Sequence, residues 1–232
     1  MPLSLRPTLL VALLTLAGCA DQTPDAGEPG SLATIDAPAF ERHDDGAAVP
    51  GFAAFRDSLA SIVARRDTLA LLATVADGAR LSFGDAAGGP DGFRAMWFAG
   101  TPPEGVAVWD RLASLLSAGS VDEDGAVTVP YAFGAWPDSI DAFSHVAVVP
   151  EGDAPVEARA AASDTAAVVA RIGSVILPRE GAAAGGYQGL HTPDGATVYV
   201  PEARAMSPVG YRATFFPDDA GAWKLQTLVA GD

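Results

Sequence analysis

Apolar positions along this chain follow two different periods. From residue 52 onward, Phe52, Phe55, Leu59, Ile62 and Val63 recur at helical spacing, with Arg56, Asp57, Arg65 and Arg66 on the other side. Asp67 then reads as the N-cap of a second helix through Leu69, Leu71 and Leu72. Arg80-Leu81-Ser82-Phe83 alternates as a strand does. Pro90-Asp91 opens a short helix carrying Phe93, Met96 and Trp97. A longer helix is predicted from Glu104 to Leu116. Val108, Trp109, Leu112, Leu115 and Leu116 form its stripe, and Gly119 ends it. Strands are predicted at Ala126–Val129 and Val146–Val149. Residues 49–149 therefore read as one α+β domain.

Beyond residue 150 the pattern becomes strand-like. Val156–Arg159, Val168–Ile172, Val175–Leu177, Gly189–His191 and Thr197–Val200 are short β-prone runs separated by Gly, Pro and Asp turns. Such spacing suggests a small β-barrel over residues 150–206. Residues 207–232 end in a hairpin pattern. Tyr211–Phe216 and Trp223–Val229 flank the turn-forming run Pro217-Asp218-Asp219-Ala220-Gly221. An isolated hairpin is marginal in water, so its apolar face is expected to pack on a domain. The chain as a whole is predicted to be α+β.

Residues 150–206 resemble a bacterial SH3-type (SH3b) domain. Val156-Glu157-Ala158-Arg159 followed by Ala160-Ala161-Ala162 matches that family's strand ending in Val-Arg and its small-residue turn. Thr165 to Gly173 matches the segment leading into the next strand. Tyr187 to His191, the Pro193-Asp194-Gly195 turn and Thr197 to Val200 match an aromatic strand, a turn and a returning Tyr-Val strand. Tyr187 stands where the family has tryptophan, and Val198 replaces a glycine. The resemblance implies an SH3-like barrel with ligands lying across exposed aromatics. Tyr187 and Tyr199 are then the candidate binding residues, with His191 and Arg159 as polar partners.

The first residues carry a different pattern. One positive charge, Arg6, precedes the apolar run Leu9-Leu10-Val11-Ala12-Leu13-Leu14-Thr15, and Leu16-Ala17-Gly18-Cys19 follows. The run is too short for a transmembrane helix, which needs roughly 20 apolar residues. Leu16 to Cys19 resembles the lipobox of bacterial lipoproteins, which implies cleavage after residue 18 and a lipid on the Cys19 thiol. Stable anchoring takes more than one acyl chain, which the mature lipoproteins of that family carry. Ala20 stands where inner-membrane retention in enterobacteria uses aspartate, so the analogy favours the outer membrane. Residues 19–48 are rich in Asp, Pro, Gly, Ala and Thr, and are predicted to be a disordered acidic tether.

Charge and composition narrow the partners. The formal net charge is −15, and Lys224 is the only lysine. Such a surface repels phosphate backbones, so nucleic acid is not an expected partner. Cys19 is the only cysteine, which leaves no disulfide within the monomer and no thiolate metal site.

A search for chemistry finds little. His43, His145 and His191 have no metal-ligand spacing. No Gly-x-Ser-x-Gly elbow or Ser-x-x-Lys motif occurs. The SH3b resemblance brings no cysteine peptidase, since no cysteine follows Cys19. Gly181-Ala182-Ala183-Ala184-Gly185-Gly186 lacks the Lys-Ser/Thr of a phosphate loop and reads as a connector. Asp122-Glu123-Asp124-Gly125 resembles the start of a calcium loop but lacks the later ligands. Trp97, Trp109, Tyr131, Phe133, Trp136 and His145 are the candidates for an aromatic pocket. The expectation is a non-catalytic, lipid-anchored envelope protein without a cofactor, binding peptidoglycan or an envelope protein through its SH3b-like module. The alternative is a small-molecule binder or enzyme working through residues 49–149, with the β-module as a targeting appendage.

Overall fold

The computed structural model describes residues 32–84, 86–151 and 154–231. The expected signal peptide, Cys19 and the first part of the expected tether lie outside the described residues. Helices form where the apolar spacing places them. α1 (Phe52–Arg65) buries Phe52, Leu59 and Val63, and ends at Arg66 in the left-handed conformation. α2 (Thr68–Thr74) is capped by Asp67, whose carboxylate accepts the Ala70 N–H at 3.0 Å. α3 (Gly89–Phe98) has Pro90 in its first turn. α4 (Val108–Ser117) starts later than predicted, because Glu104 lies in a tight turn with φ 55°. A single turn, α5, covers Tyr131–Gly134.

Thirteen strands assemble into two sheets among the described residues. The first sheet has the order β2-β13-β12-β4-β3, with β2 at Val75–Arg80, β3 at Val121–Glu123, β4 at Ala126–Val129, β12 at Arg212–Pro217 and β13 at Trp223–Val229. β2 thus meets the predicted strand only at Arg80. Leu81 is buried beyond its end, while Phe83 is exposed on a bend. The C-terminal hairpin holds the centre of this sheet, antiparallel to β4 and parallel to β2. Its strict alternation breaks at a bulge: Thr214 faces Thr227, but Phe215 faces Leu225. The extra residue lets Leu225 and Leu228 both reach the core. All four long helices pack on this sheet, around Phe52, Leu71, Phe93, Leu112 and Phe215.

The second sheet has the order β1-β7-β6-β10-β9-β8-β5-β11. Its strands are β1 (Ala33–Thr34), β5 (His145–Val148), β6 (Val156–Arg159), β7 (Val168–Ile172), β8 (Val175–Ala184), β9 (Tyr187–His191), β10 (Thr197–Pro201) and β11 (Ala205–Met206). The five strands of the predicted barrel are present and adjacent, yet no closed barrel forms. β1 pairs with β7 at one flank and β5 with β8 at the other, so further strands cover the edges that closure would join. The predicted boundaries shift for the same reason. β5, assigned to the 49–149 domain, belongs to the second sheet, and the hairpin of residues 207–232 belongs to the first.

The tether prediction fails from residue 32 onward. Phe40 is 3% exposed and packs with Tyr131, Ala132, Ala147 and Ile176 in a cluster between the two sheets. The low apolar content of residues 19–48 hid a few well-placed anchors. Backbone bonds fix them: the Ile176 N–H donates to Pro38 O, and the Phe40 N–H to Ser174 O, each at 3.0 Å. Gly119 admits the segment, since a Cβ on it would lie 2.2 Å from His43 O, and its φ is +75°.

Asp44 closes this contact. Its carboxylate accepts from Arg56 on α1 and from the buried Ser120 hydroxyl, which itself accepts the Gly46 N–H. Burial raises the Asp44 carboxyl, but the bonds from Arg56 and Ser120 outweigh it, so it lies below its usual 3.8. A carboxyl depressed on folding contributes stability that is present above its unfolded pKa and is lost as pH falls through the folded value. Asp44→Asn is therefore expected to be less stable than wild type near pH 6, with the gap closing below about pH 3.8. Urea melts of both proteins across that range check this, and a gap that does not change with pH would contradict it.

Candidate functional site

The residues carried by the SH3b resemblance meet in part. β6 ends with a register shift between Ala158 and Arg159, which takes Arg159 out of the strict alternation that buries Val156 and Ala158. The Arg159 guanidinium donates to Ala166 O at 2.8 Å across the β6–β7 turn and lies 3.6 Å from Glu157. Asp164 sits in that same turn. Tyr187, the first residue of β9, donates its hydroxyl to Asp164. That hydrogen bond is the main reason its phenol lies above the usual value. Arg204, on the turn after β10, pairs with Glu151. Arg159, Asp164, Tyr187, Arg204, Glu151 and Glu157 line one open cleft of about 290 Å³, with Pro155 and Pro201 among its apolar parts.

Other predicted residues go elsewhere. Tyr187 is no exposed plate: it is only 8% exposed where it lines the cleft. Tyr199 is half-buried, opposite Arg159 on β6 and Gly189 on β9. A Cβ at Gly189 would touch the Tyr199 ring at 3.3 Å, so the missing side chain gives the ring its bed. His191 lines a separate groove of about 540 Å³, together with His145, Asp141, Pro178 and Leu177. The two histidines, unrelated in sequence, share this groove because β5 and β9 flank β8. Each has Nδ1 engaged, His145 with Ser144 and Asp141 and His191 with Thr197. Among the described residues no three His, Cys, Asp or Glu side chains are grouped to hold a metal.

The six aromatic-pocket candidates do not form one pocket. Trp97 and Trp109 pack on the core of the first sheet, against Tyr211 and Phe98 respectively. Tyr131 and Trp136 pack around Phe40 between the sheets. Phe133 is 38% exposed and carries the Arg212 guanidinium 4.0 Å over its ring. His145 lies in the groove just described. Helical and strand spacing reported the packing of Trp97, Trp109, Tyr131 and Trp136 on the cores, not a shared cavity.

One cleft was not anticipated. α4 and the segment from Glu202 to Tyr211 enclose about 550 Å³. Arg111 lies on its wall, with its guanidinium 4.1 Å over the Tyr211 ring and 2.6 Å from Glu104. Burial, then the Glu104 charge, pushes the Tyr211 phenol up. The Arg111 Nε is buried and has no hydrogen-bond partner. Sequence reasoning did not single out Arg111, because Tyr211, the ring under its guanidinium, comes from the far end of the chain. Among the described residues no helix is long and apolar enough to cross a membrane. Comparison with protein-family models, curated proteins and solved structures finds no match to this chain.

Proposed function

We propose that this chain is a lipid-anchored cell-envelope protein without catalysis of its own, which holds peptidoglycan or an envelope partner on SH3b-like strands β6–β10. One observation supports the reading above others: Arg159 and Tyr187, both drawn from the family resemblance, line the same cleft. The cleft offers charged groups and one hydroxyl, and the bond to Asp164 holds the Tyr187 phenol above its usual value, the opposite of an activated nucleophile, which suits binding more than chemistry. The anchor rests on Leu16 to Cys19, and the net charge of −15 leaves the lipid as the membrane contact.

Two experiments test this. Cys19→Ala is expected to release the protein from the membrane fraction or to block its processing. Normal processing with unchanged membrane association would refute the anchor. For binding, the full mature chain is used, because the strands of the two sheets interleave in sequence and no continuous fragment carries one sheet without strands of the other. Tyr187→Phe keeps the ring and removes only the hydroxyl. Retention on purified sacculi is expected to fall about five-fold, the net contribution of one ordinary hydrogen bond. Equal retention would remove the cleft from the binding role.

A second reading is favoured by the cleft on α4. Its size suits a small ligand, and it lies where the two sheets meet, a common place for such sites. Native mass spectrometry of the purified chain is expected to show a defined adduct if this reading holds, and only the bare mass if it does not.

A further inference from the structure

The cleft of Arg159 and Tyr187 contains two ion pairs that are unequal in one respect. The Arg159 side chain is 23% exposed and its partner Glu157 is 52% exposed. The Arg204 side chain is 35% exposed and its partner Glu151 is 79% exposed. In each pair the guanidinium is the more enclosed member and the carboxylate is the one free to swing into solvent. Arg159 is fixed further by its bond to Ala166 O. Exposed pairs of this kind contribute little to stability, so another charged group can replace the acid at small cost. Asp164 is committed to the Tyr187 hydroxyl.

The balance of charge then limits what can enter. The described lining holds two arginines against Glu151, Glu157 and Asp164, in a chain of formal charge −15. A simple anion would displace a glutamate and leave it unpaired in a negative field. A simple cation would take a glutamate and strand an enclosed guanidinium. A ligand carrying both signs leaves every group paired: its carboxylate takes the arginine, and its ammonium takes the freed glutamate. The volume of about 290 Å³ accommodates one amino-acid unit.

We propose that this cleft exchanges its own ion pairs for those of a zwitterionic amino-acid end group, with Arg159 and Arg204 reading the carboxylate and Glu157 and Glu151 reading the ammonium. This rests on the reading of the cleft as the binding site for peptidoglycan or a partner peptide. It makes the glutamates selectivity residues, not stabilising ones.

Calorimetric titration of the full mature chain tests this with three probes. One is a peptidoglycan stem tripeptide ending in a diamino acid with free ammonium and carboxylate. The others are the same peptide with that amine acetylated, and with that carboxylate amidated. Wild type is expected to prefer the free peptide over each blocked form by about five-fold or more. The double variant Glu151→Gln, Glu157→Gln is expected to lose its preference over the acetylated form while keeping its preference over the amidated one. Both glutamates are exposed, so the variant's thermal melt is expected to match wild type. Binding of all three probes with equal affinity would overturn pair exchange and leave the site itself standing. A double variant that still prefers the free amine would do the same. Binding of none of the three would overturn both this proposal and the peptidoglycan reading beneath it.

Discussion

Phe215→Ala is expected to destabilise the protein by about 3–5 kcal/mol, the usual loss on emptying a large aromatic site in a core. Phe215 is fully buried on β12, with its ring 5.6 Å from Phe52 and 5.5 Å from Phe55. The hairpin that carries it separates β2 from β4. No neighbouring strand can close over the cavity without moving the helices that rest on it. Trp223 is the informative contrast. It is the larger ring, but it sits at the sheet margin, half-buried, edge-on to Phe52 at 5.0 Å, with its N–H 3.3 Å from Pro50 O. Trp223→Ala is expected to cost only about 2 kcal/mol, in proportion to the apolar area it covers. Urea melts of the two variants check the order. A larger loss for Trp223 than for Phe215 would mean that the hairpin's buried face is misassigned.

That contrast shows where sequence reasoning ended. Tyr211–Phe216 and Trp223–Val229 were legible as a hairpin because alternation and the Pro-Asp-Asp turn are local properties. Their place in the middle of the first sheet was not, since it depends on pairing with Val127–Val129, far away in the chain. Helices α1 to α4 were readable for the same local reason, and Glu104 misled only at a helix end. The run Arg80–Phe83 alternated well, but only Arg80 belongs to a strand, because the pairing with β13 runs from Val75 to Arg80 and stops there. Strands β6 to β10 form close to where they were predicted, whereas their flanks do not, because β1 and β5 join from outside residues 150–206.

The candidate site divides in the same way. Arg159 and Tyr187 were within reach of sequence, since both belong to strands with a recognisable order. Asp164, Arg204, Glu151 and Glu157 were not singled out. They are ordinary charged residues, on loops or a strand's outer face, and matter only through what they face. His145 with His191 is a pair made by sheet order, and Arg111 with Tyr211 one made by the packing of α4 near the start of β12. No spacing in the chain announces them.

Phe40→Ala carries the second large expectation, about 3–5 kcal/mol by the same cavity argument. It also decides between two accounts of residues 32–48. A disordered tether would leave Phe40 in water, and its removal would change nothing. In the structure Phe40 stacks on Tyr131 at 5.0 Å and meets Trp136 edge-on at 5.6 Å. Its backbone bonds Ser174 in both directions, N–H to carbonyl and carbonyl from hydroxyl. The cluster it completes lies between the two sheets, so the loss is expected to loosen the whole assembly. Phe143, 55% exposed, provides the control. Phe143→Ala is expected to fall within about 0.5 kcal/mol of wild type, as surface changes do. Limited proteolysis gives an independent reading: Arg42 is expected to resist trypsin in wild type and to become a cleavage site in Phe40→Ala. If both phenylalanine variants melt like wild type and Arg42 is cut in all three proteins, the segment is a tether after all. The contact between the sheets would then have to rest on the remaining cluster of Val121, Tyr131, Ala132, Ala147 and Ile176.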